Sequence, residues 1–212
     1  MHATATARNA STGAVARRLN WRVVDIVVAA VLGVAIGLVF WVWNTIGYAW
    51  FSAAAALTPG LGGIAVGIWL LGGVVGGLVI RKPGAALVVE VVAAVVSMLI
   101  GNIWGVSTVL EGIAQGLGAE LIFAVFLYRR FSLPVAALSG VAAAVGAWLF
   151  ELFYGSSPNI LKSLEFNAIY LGTLVVSGAV LAGVLGWLLV RALAATGALS
   201  RFAAGRELRR EV

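Results

Sequence analysis

VVDIVVAAVLGVAIGLVFWVW, residues 23–43, carries a single charged side chain, Asp25, near its start. A helix rises 1.5 Å per residue, so roughly 20 residues cross the ~30 Å hydrocarbon core of a bilayer. The stretch is long and apolar enough to do so. Five further apolar stretches follow at about 61–80, 84–104, 110–128, 134–154 and 167–190. Turn chemistry separates them: Pro59-Gly60, then Arg81-Lys82-Pro83-Gly84, then Arg129-Arg130 with Pro134 beyond, then Gly155 to Asn159 around Pro158. The expectation is an all-α membrane protein of six transmembrane helices. Residues 44–60 are apolar but interrupted, which suits either a long surface loop or a short interfacial helix.

Composition agrees. Of 212 residues, 62% are hydrophobic and only 10% charged, against about 25% charged in a typical soluble domain. The mean hydropathy is +1.08. Ordinary soluble enzymes, disordered tails and coiled coils are thereby excluded. With 0 cysteines and 1 histidine, His2 in the polar leader, thiol chemistry, cysteine metal sites and histidine catalysis drop out as well. Residues 1–20 lack the apolar core of a cleavable signal peptide, so the first span is expected to act as its own insertion signal.

The 14 basic residues set the orientation. With six spans, Arg8, Arg17, Arg18, Arg22, Arg81, Lys82, Arg129, Arg130, Arg191, Arg201, Arg206, Arg209 and Arg210 fall on one face, and Lys162 alone on the other. The positive-inside rule makes the crowded face cytoplasmic and places both termini there. The same distribution accounts for the pI of 10.5 without nucleic acid. The basic tail suits anionic lipid headgroups. Trp41, Trp43, Tyr48, Trp50, Trp104, Trp148, Phe153, Tyr154 and Tyr170 fall near the outer ends of spans, as an interfacial belt or as the lining of a pocket.

Four carboxylates, Glu90, Glu111, Glu120 and Glu151, lie in or at the ends of apolar stretches. An acid near the centre of a bilayer helix costs ~2.5–3.5 kcal/mol on insertion scales. Such groups are functional candidates, or acids kept neutral by desolvation or paired with another helix. At 100° per residue, Glu111 and Gln115 share a face, while Glu120 points to the opposite one. Trp148, Glu151 and Tyr154 share a face at i, i+3, i+6, a carboxylate between two rings that suits an organic cation. Ala29, Gly33 and Gly37 recur every four residues. That stripe either packs within the bundle or presents a docking face to another membrane subunit. No Gly-Lys phosphate loop and no serine–histidine pair occur.

Several segments carry a resemblance. Gly67-Ile68-Trp69, Ile80-Arg81-Lys82-Pro83-Gly84-Ala85-Ala86-Leu87 through Glu90, Gly101-Asn102, Gln115-Gly116-Leu117-Gly118-Ala119-Glu120, Thr196-Gly197-Ala198-Leu199 and Gly205-Arg206-Glu207-Leu208 resemble the YkoE family over about residues 20–210. Members of that family are the membrane-embedded substrate-binding (S) components of energy-coupling factor (ECF) transporters for thiamine or its hydroxymethylpyrimidine precursor. The resemblance implies a non-enzymatic transport subunit of the bacterial cell membrane, without a cofactor. It also implies an outward-facing vitamin pocket, and assembly with a transmembrane coupling subunit and two ATPases. The whole S component would topple to deliver its cargo, with Ala29, Gly33 and Gly37 matching the docking role. The chain would then divide into a polar leader (1–20), a six-helix substrate-binding domain (21–195) and a basic tail (196–212). Two other readings stand beside it: a stand-alone proton-coupled transporter using the buried glutamates, and a non-transporting membrane scaffold.

A pocket for thiamine needs stacking surfaces, a carboxylate for the thiazolium charge, and an amide or acid for the pyrimidine edge. The outer candidates are Asn102, Trp104, Glu111, Gln115, Trp148, Glu151, Tyr154 and Tyr170. Glu90 and Glu120 join them from the motif segments, at greater depth. Glu151→Gln is expected to weaken thiamine binding more than Glu165→Gln in the loop. Equal affinities in titration calorimetry would remove Glu151 from the site.

Overall fold

The computed structural model describes residues 19–155 and 157–205. The leader through residue 18, His2 included, and residues 206–212 of the basic tail lie outside the described residues. The described chain is all-helical: α1 (Val23–Leu57), α2 (Leu71–Ile80), α3 (Ala85–Ile100), α4 (Ser107–Val125), α5 (Leu133–Glu151), α6 (Leu164–Ser177) and α7 (Leu185–Ala195). A 3-10 stretch, Leu61–Leu70, runs directly into α2, and a π-helical stretch, Gly178–Val184, joins α6 to α7. Counted through those joins, five helices are long and apolar enough to cross a membrane, and the shorter Ala85–Ile100 is a sixth apolar helix.

The region expected to break after residue 43 does not. Helix α1 continues to Leu57. Asn44 does not interrupt it, because its amide has partners on two other segments, described below. The helix stops at Thr58, where the following Pro59 disfavours the α conformation. At its start Asp25 is fully buried, pairing with Arg22 at 3.1 Å and Lys82 at 2.5 Å. The Trp21 indole donates to the Pro83 carbonyl at 2.8 Å, and Lys82 Nζ donates to the Asn20 carbonyl. The 81–84 turn is thus fastened to the N-terminus of α1.

Glu120 fastens the same turn from the other side. Its carboxylate accepts from the backbone N–H of Gly84 (2.7 Å), Ala86 (2.8 Å) and Leu87 (3.3 Å) and from the Tyr128 hydroxyl (2.7 Å). The first N–H groups of a helix have no partner within it, and an acid there also meets the positive end of the helix dipole. Tyr128 makes this bond from a turn in which Leu127 and Tyr128 lie in the left-handed region, at φ 51° and 55°.

Helices cross at small residues. Gly140 and Gly178 meet backbone to backbone where the π stretch passes α5, and Gly118 and Gly146 bring α4 and α5 together. The Ala29–Gly33–Gly37 stripe belongs to this set, the packing role that stood beside docking in the sequence. It is buried against α3. A Cβ on Gly37 would come within 2.7 Å of Val96 Cβ and 2.8 Å of the Ala93 carbonyl oxygen. The side of α1 that does face outward carries Val27, Val31, Val34 and Leu38.

Gly37→Val should therefore overpack the α1–α3 seam, at a cost of ~1–3 kcal/mol, and lower the thermal midpoint in detergent. Gly172→Ala, with nothing within 4 Å of the new methyl, should cause no loss. Similar midpoints for the two variants would contradict the seam.

Candidate substrate-binding site

A cavity of ≈ 700 Å³, its open mouth included, lies at the end of the bundle away from the 81–84 turn. Six segments build it. Helix α1 supplies Phe40, Asn44, Tyr48 and Phe51, and the 3-10 stretch supplies Val66 and Trp69. Helix α3 supplies Glu90 and Ala94. Trp104, Thr108, Glu111 and Gln115 come from α4 and the loop before it, and Glu151 and Tyr170 from α5 and α6.

The 3-10 stretch owes its position to Ser177. That hydroxyl accepts from the Gly67 N–H at 2.8 Å and donates to the Ile64 carbonyl at 2.7 Å. Long 3-10 segments are uncommon because their hydrogen bonds are poorly aligned, and this one is held from outside. Two residues on, the Trp69 indole donates to Asn44 Oδ1 at 2.9 Å, while Asn44 Nδ2 donates to the buried Ser97 hydroxyl at 2.9 Å. Three segments thus lock the plane of one ring. Trp69 packs edge-on to Trp104 (5.6 Å between centroids), and Trp104 edge-on to Tyr48 (5.5 Å). On the other side Phe51 meets Tyr170 edge-on at 6.3 Å. Aromatic faces and edges therefore line much of the wall.

Three carboxylates converge on this apolar enclosure. Glu151 accepts from the Tyr170 hydroxyl at 3.0 Å and from Asn159 Nδ2 at 3.3 Å. Glu111 accepts from Gln115 Nε2 at 3.0 Å, across one helical turn. Glu90, only 1% exposed, accepts from the Gly73 N–H at 2.5 Å through Oε2. Its Oε1 is buried without a partner. Leaving such an acceptor unsatisfied costs about 1–3 kcal/mol.

Of the residues singled out in the sequence, Glu90, Trp104, Glu111, Gln115, Glu151 and Tyr170 come together here. Four others do not line the cavity. Asn102 shapes the loop at its rim, its Oδ1 accepting from the Trp104 and Gly105 N–H groups and from Thr108 Oγ1. Trp148 donates to Asn167 Oδ1 at 3.2 Å. Tyr154 is exposed and stacks on Phe150, and Glu120 caps α3. The Trp148–Glu151–Tyr154 face does not act as one lining: the Trp148 indole is taken up by Asn167 and the Tyr154 ring by Phe150, which leaves Glu151 alone on the cavity. Tyr48, one of the outer aromatics, also lines it, while Asn44, Phe51 and Trp69 enter the site unanticipated. Asn44, Tyr48 and Phe51 sit at i, i+4, i+7, a signal that emerges once residues 44–57 are taken as helix.

Similarity to known proteins bears on this cavity. A family model described as "ABC-type cobalt transport system, permease component" matches residues 24–146. The "Putative HMP/thiamine permease protein YkoE" of Bacillus subtilis (strain 168) is 36% identical over 194 residues, 91% of this chain and 94% of the relative. A solved structure described as "Crystal structure of an S-component of ECF transporter" aligns with a TM-score of 0.76 and 34% identity, over 91% of this chain and 95% of its own.

Replacing Asn44 by Ala would leave two polar groups without partners, the Trp69 indole N–H and the Ser97 hydroxyl. The expected cost is about 1–3 kcal/mol. Ser97→Ala, which deprives only the Asn44 amide, should cost less. Thermal midpoints in the reverse order would refute the Trp69–Asn44–Ser97 lock.

Proposed function

Because the chain belongs to the YkoE family of ECF-transporter S components, which are transport subunits and not enzymes, we propose that it captures thiamine or hydroxymethylpyrimidine in this cavity. The observation that carries the proposal is the unpartnered Glu90 Oε1 at the inner wall of an aromatic enclosure. An aminopyrimidine offers an amino donor to that oxygen and a flat ring to Trp69, Trp104 and Tyr48. The thiazolium of thiamine adds a positive charge, which Glu111 and Glu151 answer through charge and Tyr170 through its ring. Gln115 orients Glu111. Asn102 acts by holding the rim loop that carries Trp104. The cavity is of the size of small-ligand sites in general, ~300–1,000 Å³. Among the described residues no group of three or more His, Cys, Asp or Glu is placed to hold a metal ion, so cobalt is the weaker reading of the family description.

In this reading the chain crosses the membrane of a bacterial cell six times, Ala85–Ile100 included, with both termini cytoplasmic. The bundle supports it: Arg22, Arg81, Lys82, Arg129 and Arg130 flank helix ends at the pole opposite the cavity. The cavity then opens outward. Delivery would be by toppling of the whole subunit in complex with a membrane coupling subunit and two ATPases. The Ala29–Gly33–Gly37 stripe packs on α3 in this structure, so the coupling subunit would meet α1 on its outward side.

The test is native mass spectrometry and thermal shift on the detergent-purified chain with thiamine and with hydroxymethylpyrimidine. One bound ligand, with stabilisation, is expected. Glu90→Gln should weaken it about tenfold, some 1.4 kcal/mol, while Glu165→Gln leaves it unchanged. A monodisperse sample that binds neither compound would sink the substrate assignment.

A further inference from the structure

Behind Glu151, in the α5–α6 connection and at the start of α6, lies a polar cluster that does not line the cavity: Asn159, Lys162 and Asn167. Asn159 is only 4% exposed. Its backbone carbonyl accepts from Asn167 Nδ2 at 2.8 Å, and its side-chain amide bridges two charged residues. Lys162 Nζ donates to Asn159 Oδ1 at 2.8 Å, and Asn159 Nδ2 donates to Glu151 Oε2 at 3.3 Å.

Chemistry leaves that bridge one orientation. An ammonium has three donors and no acceptor, while an amide has one end of each kind. With Lys162 in place the amide turns its oxygen to the ammonium and its NH2 group to Glu151. The ammonium is itself held, 4.4 Å from the centre of the Phe166 ring, over the face that attracts a cation. Phe166 in turn stacks on Tyr170 at 5.6 Å, and the Tyr170 hydroxyl donates to Glu151 Oε1 at 3.0 Å. Each oxygen of Glu151 thus meets a donor, and both lines of contact lead back to Lys162. Glu111, on the same cavity, bonds instead to Gln115 of its own helix. Among the described lining residues of the cavity there is no lysine or arginine. Lys162 therefore acts on Glu151 from behind, without taking the space of a ligand.

We propose that Lys162 is a positioning residue for the substrate: through Asn159 it presets Glu151 as an acceptor on the cavity wall, and so favours a positively charged ring over a neutral one. This rests on the reading that the cavity takes thiamine or hydroxymethylpyrimidine, which differ in that respect, the thiazolium being a fixed positive charge. Without the ammonium, the amide is free to turn its oxygen toward Glu151. Two acceptors then face each other, and the carboxylate loses its fixed place.

The test is titration calorimetry of the detergent-purified full chain with each compound. Lys162→Met should weaken thiamine about fivefold and hydroxymethylpyrimidine less than about twofold. Lys162→Arg, which also has donors only, should bind thiamine within about twofold of the unaltered chain. In a Glu151→Gln background Lys162→Met should cost thiamine nothing further, because residues in one hydrogen-bond network are not additive. Equal losses for the two compounds, no rescue by Lys162→Arg, or a full further loss in the Glu151→Gln background would overturn the proposal. Thermal midpoints of the ligand-free Lys162→Met, Glu151→Gln and double variants read the link by itself, and additive losses there would overturn it whether or not either compound binds. Non-additive midpoints in a chain that binds neither compound would overturn the substrate reading and keep the Lys162–Glu151 link.

Discussion

A backbone N–H or carbonyl at membrane depth has no water to turn to, so every departure from the α-helical ladder must find a partner inside the protein. Two departures define this fold, the 3-10 stretch before α2 and the π stretch between α6 and α7. They are adjacent in space, and Ser177, at the start of the π stretch, serves the 3-10 stretch as both acceptor and donor. Thr173, one turn earlier, reaches the Gly60 carbonyl at 3.1 Å. The irregular segments are affordable only because they lie side by side. Their irregularity in turn sets Trp69 against Asn44 and brings one wall of the cavity into place.

The acids divide by the kind of partner they have. Asp25 and Glu120 sit at the basic pole and are saturated by cations, backbone N–H groups or a phenol. They join α1, α3 and α4 at one turn. Glu90, Glu111 and Glu151 lie toward the other pole, each with fewer partners and each on the same enclosure. Residue type alone does not separate the two groups. What separates them is how many backbone N–H groups and charged side chains bond to them directly.

Much of the fold was legible because hydropathy and length act locally. The apolar stretches coincide with the helices to within a few residues at most ends, and Pro134 stands in the first turn of α5, where its missing N–H costs nothing. The extension of α1 was not legible, since Asn44 is satisfied by Ser97 and Trp69, 53 and 25 residues away. The site was legible in part. Glu111 and Gln115 share a helix face by spacing alone, but Glu151 pairs with Tyr170 across two helices, and no local period encodes that. The small-residue stripe on α1 was visible as a close-contact surface. Which helix fills it is a tertiary fact, and here it is α3.

Helix α1 is 35 residues long, about 52 Å at 1.5 Å per residue, against a hydrocarbon core of ~30 Å. It cannot be matched to any ordinary bilayer without tilting or protruding. Its last turns, from Asn44 to Phe51, are also one wall of the cavity. The part of α1 that must fit the bilayer and the part that lines the cavity are therefore one unbroken helix, and a demand made on either end is made on both.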